Sequence, residues 1–127
     1  MSPALSEIAD SEFVLLTTFR KTGVAVSTPV WAAPEGDELL VTTGGQSGKV
    51  KRLRHTERVT LTPCDVRGNV ADGAATIEAT ASVHDDEATM ARLDRALNAK
   101  YGIKYKMIRA GQKLRRGPSD SVALVIR

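Results

Sequence analysis

Residues 13–43 read FVLLTTFRKTGVAVSTPVWAAPEGDELLVTT, and this stretch decides the fold class. Its β-branched, aromatic and aliphatic runs predict three strands, at 13–19, 24–33 and 38–43. The polar, glycine-containing sequences RKTG and PEGD separate these runs and are typical of tight turns. Because short turns join antiparallel neighbours, the stretch predicts an antiparallel meander.

The rest of the chain adds strands and a few helices to this meander. Three more strands are predicted, at 58–65, 74–84 and 121–127. Helices are predicted over 2–13, 47–57 and 85–102, with a further helical turn and a basic loop within 103–118. Antiparallel strands with few helices favour a barrel. The prediction is a mainly β protein of six strands in a closed or partly closed antiparallel barrel, with two or three helices.

The helix over 85–102 has the clearest signals at both ends. Asp85 or Asp86 is placed to cap its start, and Gly102 is placed to end it. Side chains at helical spacing form one apolar stripe, which we expect to be buried: Met90, Leu93, Leu97 and Tyr101. The first helix has a similar but shorter edge, with Ser2 as its candidate cap.

Composition limits the function classes. A chain of 127 residues is long enough for one domain, expected over 1–127, and its net charge of +3 does not by itself indicate nucleic acid. Aromatic residues make up only 4%, which argues against a site that stacks single-stranded bases. A single cysteine, Cys64, excludes an internal disulfide, and His55 and His84 lack metal-ligand spacing. With neither a secretory leader nor a membrane-spanning run in the sequence, a cytoplasmic location is expected.

Residues 42–53, TTGGQSGKVKRL, carry the strongest chemical signal. They match neither the P-loop pattern nor the dinucleotide fingerprint. If a helix begins near Ser47, its first backbone N–H groups and the side chains of Lys49 and Arg52 converge on an anion, and Gly48 allows close approach. Thr42 and Thr43, at the end of the preceding strand, offer hydroxyls. The alternative interpretation is a solvated basic helix after a flexible hairpin.

The sequence STPVW is a second candidate site, because Pro29 interrupts a strand pattern. Proline donates no ladder hydrogen bond, so it belongs on an edge or at a bulge. A break there exposes backbone groups of Thr28, Val30 and Trp31 to a ligand. The alternative is an ordinary edge strand with a packed tryptophan.

Two stretches of the chain carry a family resemblance, LLTTFRKTGVAVSTPVW and, after it, GDELLVTTGGQSGKVKRLRHTERVTLTPCD. In this order they resemble the split β-barrel flavin and deazaflavin reductase family, which is related to pyridoxamine phosphate oxidase. The match is nearest to small actinobacterial members that depend on coenzyme F420. It is good over 13–83, and the C-terminal third agrees in outline only.

This resemblance implies a split barrel that works as a homodimer, with the cofactor in a groove at the subunit interface. Lys49 and Arg52 would hold the cofactor phosphate, with Ser47 and Gly48 at the helix start. Thr42 and Thr43 would flank the phosphate or the ribityl chain. The tricyclic ring would be lined by Thr28, Pro29, Val30 and Trp31.

The implied activity is hydride transfer from the reduced deazaflavin to an electron-poor small molecule, with no metal and no catalytic side chain yet identified. Three alternatives stay open: the same fold with FMN, a non-catalytic carrier of either cofactor, and a nucleic-acid binder that uses the basic residues of 49–54. The basic residues Lys113, Arg115 and Arg116 are a candidate contact for the acidic tail of the deazaflavin, and a solvated loop is the alternative that the residues themselves favour.

Overall fold

A computed structural model of the chain describes residues 3–45, 47–104 and 121–127. Three helices are described: α1 (Pro3–Ala9), α2 (Gly48–His55) and α3 (Glu87–Tyr101). The strands are β1 (Phe13–Phe19), β2 (Ala25–Val30), β3 (Ala32–Glu35), β4 (Glu38–Gly44), β5 (Arg58–Cys64), β6 (Ile77–His84) and β7 (Ser121–Ile126). The candidate cap Ser2, the predicted helical turn beyond 104 and the basic residues Lys113, Arg115 and Arg116 lie outside the described residues.

All seven strands join one antiparallel sheet in the order β2-β1-β5-β6-β7-β4-β3. The two strands at the ends of this order, β2 and β3, are separated in the chain by Trp31 alone. The sheet therefore has to curl until its two ends approach each other. This confirms the predicted mainly β, antiparallel, barrel-like architecture.

The number of strands is seven within the described residues, and the prediction of six was wrong at one place. The predicted strand 24–33 is two strands, since β2 pairs with β1 and β3 pairs with β4. The chain changes partners at Trp31. Pro29 is tolerated within β2 because β2 is the terminal strand of the sheet, where a missing N–H breaks no ladder.

The inner face of the curled sheet carries the main core. Val14 and Leu16 of β1 pack there with Leu61 of β5, and all three are fully buried. Leu5 and Ile8 of α1 and Leu53 of α2 belong to the same cluster: Leu5, Ile8, Ala9, Val14, Leu16, Ala32, Leu39, Val41, Leu53, Val59, Leu61, Ala81, Leu124 and Ile126. The apolar edge of α2 thus fixes how this helix lies on the barrel.

A second core cluster joins α3 to the opposite face of β3, β4 and β7. Leu93, Leu97 and Tyr101 of the predicted stripe are buried there, whereas Met90 is half-buried. Asp86 is the cap, since its carboxylate accepts a hydrogen bond from the Thr89 N–H at 2.9 Å. Gly102 ends the helix with a φ of 57°, a conformation that favours glycine.

Ion pairs tie α3 to the β3–β4 turn. Arg92 donates from Nε to Glu35 at 2.9 Å and from Nη2 to Glu38 at 2.7 Å. Arg127 donates to the second oxygen of Glu38. None of the described helices has the length and apolar character needed to cross a bilayer.

Candidate anion and cofactor site

The start of α2 has the geometry that the sequence predicts. Ser47 is the cap, in an extended conformation, and its Oγ accepts a hydrogen bond from the Val50 N–H at 3.4 Å. The Thr43 hydroxyl, at the end of β4, donates to the same Oγ at 3.3 Å. The helix therefore begins at Gly48, and its free backbone N–H groups point out of this end.

Arg52 folds back toward this helix start. Its Nε donates to the hydroxyl of Thr18, in β1, at 2.5 Å. Its Nη1 lies so near Gly48 that a Cβ at this residue would stand 2.7 Å from it. The absence of a side chain at Gly48 is what makes room for the guanidinium group.

Positive charge is concentrated here without a matching negative charge. Burial, and then the nearby Arg52, lower the pKa of half-buried Lys49 below its ordinary value. Burial, and then Arg20, lower the pKa of Arg52. No carboxylate of the described residues lies within ion-pair distance of Lys49, Arg52 or Arg20. Arg52 is thus repelled by both Lys49 and Arg20, and this group of cations beside a helix N-terminus forms a favourable place for an anion.

The two predicted threonines lie on opposite faces of β4, because side chains alternate along a strand. Thr43 is buried and contacts Ser47. Thr42 pairs with Ala123, a member of the α3 cluster, and so lies on the α3 face of the sheet. The structure therefore brings Thr43, but not Thr42, to the start of α2.

The β2 stretch forms a second group of predicted residues. Thr28 and Val30 lie opposite Leu16 and Val14, on the inner face of the sheet. Pro29 lies opposite Leu15, on the outer face. The Thr28 Oγ1 is buried and has no hydrogen-bond partner among the described residues. A buried hydroxyl without a partner is costly, so it is a candidate for contact with a ligand.

Trp31 is packed within the chain. Its ring stacks on that of Tyr101 with centroids 4.2 Å apart and planes 6° apart, and Phe13 lies 6.3 Å away on centroids. Within the described chain no hydrogen bond, ion pair or ring contact joins Trp31 to α2. The predicted phosphate residues thus meet at one end of α2, and the predicted ring residues lie along β2 and its junction with β3.

Two groups next to Trp31 hold this junction. The Tyr101 hydroxyl donates to the Glu12 carbonyl at 2.7 Å and accepts from the Ala32 N–H at 3.2 Å. Burial raises the pKa of Tyr101 to about 12. Lys100 Nζ donates to the carbonyls of Ser11 at 2.6 Å and Ala32 at 2.5 Å, and burial lowers its pKa.

Two surface cavities lie elsewhere. One of about 460 Å³ adjoins the far end of α2 and is lined by Leu53, Arg54, His55, Glu57, Val83, Asp85 and Val122. The other, of about 300 Å³, is lined by Asp10, Glu12, Lys100, Tyr101 and Lys104. Neither of these two cavities is lined by Lys49 or Arg52.

The sequence did not indicate Thr18 or Arg20 as members of this cluster. Both lie at the end of β1, about 30 residues before α2, and a threonine inside a strand pattern is usually a packing residue. The only available signal was the position of Arg20 directly after a strand.

Comparisons with known proteins agree with the fold. The family model described as pyridoxamine 5′-phosphate oxidase matches residues 1–127. No curated protein is similar enough in sequence to count as a match. The conserved hypothetical protein Rv2991 of Mycobacterium tuberculosis is 21% identical, with a TM-score of 0.71 over 100% of this chain and 80% of that one.

Two further solved structures share the fold at low sequence identity. An F420 reductase is 18% identical, with a TM-score of 0.61 over 96% of this chain and 90% of that one. The heme storage protein HutZ of Vibrio cholerae is 14% identical, with a TM-score of 0.68 over 99% and 88%. At such identities the likeness shows the fold alone. The family match along the whole chain and the curled antiparallel barrel together show that this protein belongs to the pyridoxamine 5′-phosphate oxidase family of split barrels.

Proposed function

We propose that the protein is an oxidoreductase that binds coenzyme F420 and uses the reduced deazaflavin to reduce an electron-poor small molecule. The observation that carries this proposal is the group of cations at the start of α2, which have no carboxylate partner among the described residues, in a chain of this family. The F420 reductase among its structural neighbours supports the choice of deazaflavin.

The residues at the start of α2 fit a phosphate group. Lys49 and Arg52 supply positive charge, and Ser47 and Gly48 lie where the backbone N–H groups are free. Lys49 is already half-buried, so part of the cost of removing its water is met before a ligand arrives. Charge-assisted hydrogen bonds from these groups would hold the phosphate more firmly than neutral ones.

The β2 stretch would contact the flat ring. Pro29 has no backbone N–H to donate, and its strand β2 is the terminal strand of the sheet. Backbone groups of the neighbouring residues can therefore contact a ligand. Thr28 has a hydroxyl without a partner that a polar ring atom or a ribityl hydroxyl would satisfy. Val30 offers apolar contact, and Trp31, held by Tyr101, would form a rigid wall.

The chemistry follows from the cofactor and the site together. The reduced deazaflavin, when bound, supplies a hydride from C5. The residues of this chain bind the phosphate, fix the ring against β2 and keep water from one of its faces. Solvent can supply the proton that completes the reduction of a double bond, so the proposal requires no acid of the chain for this step.

We further propose that two copies of the chain form a homodimer and that the protein works in the cytoplasm. The face of β1 opposite the core carries Leu15, Thr17 and Phe19, which are half-buried in one chain. The described helices pack elsewhere, with α1 and α2 on the inner core and α3 on β3, β4 and β7. We propose that the homodimer forms through this face, with the cofactor in a groove between the two subunits.

The test is turnover with a defined reductant. Purified protein is supplied with reduced F420 or reduced FMN and a panel of electron-poor alkenes and quinones, and cofactor oxidation is followed by absorbance. Activity that needs F420 supports the proposal. A yellow protein active only with FMN indicates the FMN alternative, and tight binding without turnover indicates a carrier.

A further inference from the structure

Thr18 is a polar side chain at a fully buried position of the barrel. It lies on the inner face of β1, in line with Val14 and Leu16, and none of its surface is exposed. A buried hydroxyl needs a partner, and the only hydrogen bond described for Thr18 Oγ1 comes from Arg52 Nε at 2.5 Å. The polar atom of Thr18 therefore acts on Arg52.

This hydrogen bond fixes the plane of the guanidinium group. Nε donates to Thr18 on the inner face of β1, while Nη1 and Nη2 both lie within 4 Å of the place where a Gly48 Cβ would stand. A guanidinium group is planar, so one anchored nitrogen and one close contact set its orientation. Its free donors are thereby directed to the start of α2.

Arg52 needs a hydrogen-bond acceptor such as Thr18 to hold its side chain in place, because its neighbours carry the same charge. Lys49 and Arg20 both repel it, and no carboxylate of the described residues holds it in place. Without an anchor, a long side chain would turn toward solvent, and an incoming anion would have to pay the entropy of ordering it again.

We propose that Thr18 and Gly48 are positioning residues that hold the Arg52 guanidinium ready over the start of α2 for the anionic group of the ligand. This inference rests on the proposed function, since it takes the phosphate site as given. Neither residue touches the ligand through its own side chain. Thr18 supplies the acceptor for Nε, and Gly48 supplies the space.

The first test compares Thr18→Val with Thr18→Ser, using F420 and FMN as probes in fluorescence or calorimetric titrations. Valine keeps the shape of threonine and removes the hydroxyl, so binding of the true cofactor weakens about 10- to 150-fold, the loss expected for one hydrogen bond to a charged group. Serine keeps the hydroxyl and restores affinity to within about twofold of wild type. Melting temperatures of both variants check that the fold is intact.

A double-mutant cycle separates positioning from a general structural effect. In an Arg52→Ala background, Thr18→Val should change affinity by less than about twofold, because the side chain that it positions is gone. Gly48→Ala places a methyl group where Nη1 lies, so it should weaken binding in wild type and lose this effect in the same background. Equal losses of affinity with and without Arg52 would overturn the inference.

The outcomes also distinguish this inference from the proposed function. If wild-type protein binds neither cofactor, the proposed function fails. If wild type binds, Lys49→Ala weakens binding and Thr18→Val binds as wild type does, the phosphate site stands and the positioning role is wrong.

Discussion

The positive charge of Lys49 opposes folding and favours the binding of an anion. Its charged form is disfavoured by burial and by Arg52, so its pKa in the folded chain lies below the ordinary value of 10.5. At neutral pH the charge therefore opposes folding, and this cost is relieved only as the pH rises through the lowered pKa toward 10.5. An anion bound beside Lys49 would remove the same cost.

Lys49→Met should therefore raise the melting temperature of the ligand-free protein or leave it unchanged, while it weakens ligand binding. Methionine keeps the apolar stem and removes the charge. Calorimetry at pH 7 with and without cofactor checks both effects, with Lys51→Met, an exposed neighbour, as the matched control. A clear loss of stability in the ligand-free state would show that Lys49 has a structural role.

Affinity should also depend on pH in the alkaline range. Binding of an anion favours charged Lys49 and raises its pKa in the complex, so affinity is full below the pKa of the free protein and falls as the pH rises through it. Because that pKa is lowered, the fall begins at a lower pH than an ordinary lysine would give. Titrations between pH 7 and 10.5 measure this, and an identical pH profile in Lys49→Met would exclude Lys49 as its cause.

At the residue scale, local rules predicted the start of α2. Ser47, Gly48 and Lys49 were placed at this helix start because capping and glycine rules act within a few residues. Thr18 and Arg20 were missed because their approach to Arg52 depends on how α2 crosses β1. Such contacts follow from the packing of Leu53 and Val50 into the barrel, which no local pattern specifies.

At the element scale, the junction of β2 and β3 depends on α3. Tyr101 bonds the backbone of Glu12 and Ala32 and stacks on Trp31, which fixes the point where the chain changes partner strands. The sequence predicted one strand here, since alternation continues through Trp31. The exchange of partners is set by contacts that span 69 residues, between Ala32 and Tyr101.

Tyr101→Phe should destabilise the protein by about 1–3 kcal/mol, because it leaves the buried Ala32 N–H without this partner. Urea unfolding measures the change, and Ser27→Ala, which removes an exposed hydroxyl bonded to Thr17, should stay within about 0.5 kcal/mol of wild type. Equal stability of Tyr101→Phe and wild type would mean that stacking alone holds the junction.

The raised pKa of Tyr101 predicts that the protein loses stability at high pH. Its pKa of about 12 lies above the ordinary value of 10.0, so the stability that it contributes is complete below pH 10 and is lost as the pH rises toward 12. In a Tyr105→Phe background, tyrosinate absorbance at 295 nm reports Tyr101 alone. Titration near pH 10 in the folded protein would contradict its burial.

At the scale of the whole molecule, the antiparallel barrel was predictable from period-2 patterns and short turns. The sheet order was not, because the pairing of β7 between β6 and β4 joins segments more than 30 residues apart. A site completed by a second subunit, as proposed, would likewise depend on contacts between chains that no local pattern specifies.

A dimer should therefore form through the outer face of β1. Thr17→Arg places a long charged side chain at the centre of this face, between Ser27 and Thr60, and should give a monomer with weaker cofactor binding. Ala91→Arg, on the exposed side of α3, should remain a dimer. Light scattering after size-exclusion chromatography measures the mass, and a wild-type protein with the mass of one chain would contradict the proposed assembly.

The central claim is that the start of α2 binds the phosphate of F420 through Lys49. Parallel titration of wild type and Lys49→Ala with F420 and with FMN tests it most directly. The account predicts tight binding of F420 to colourless wild-type protein, and a loss of about 1.5–3 kcal/mol in the variant, the range for a charge-assisted hydrogen bond. Equal affinity of both proteins for F420, or binding of FMN alone, would contradict it.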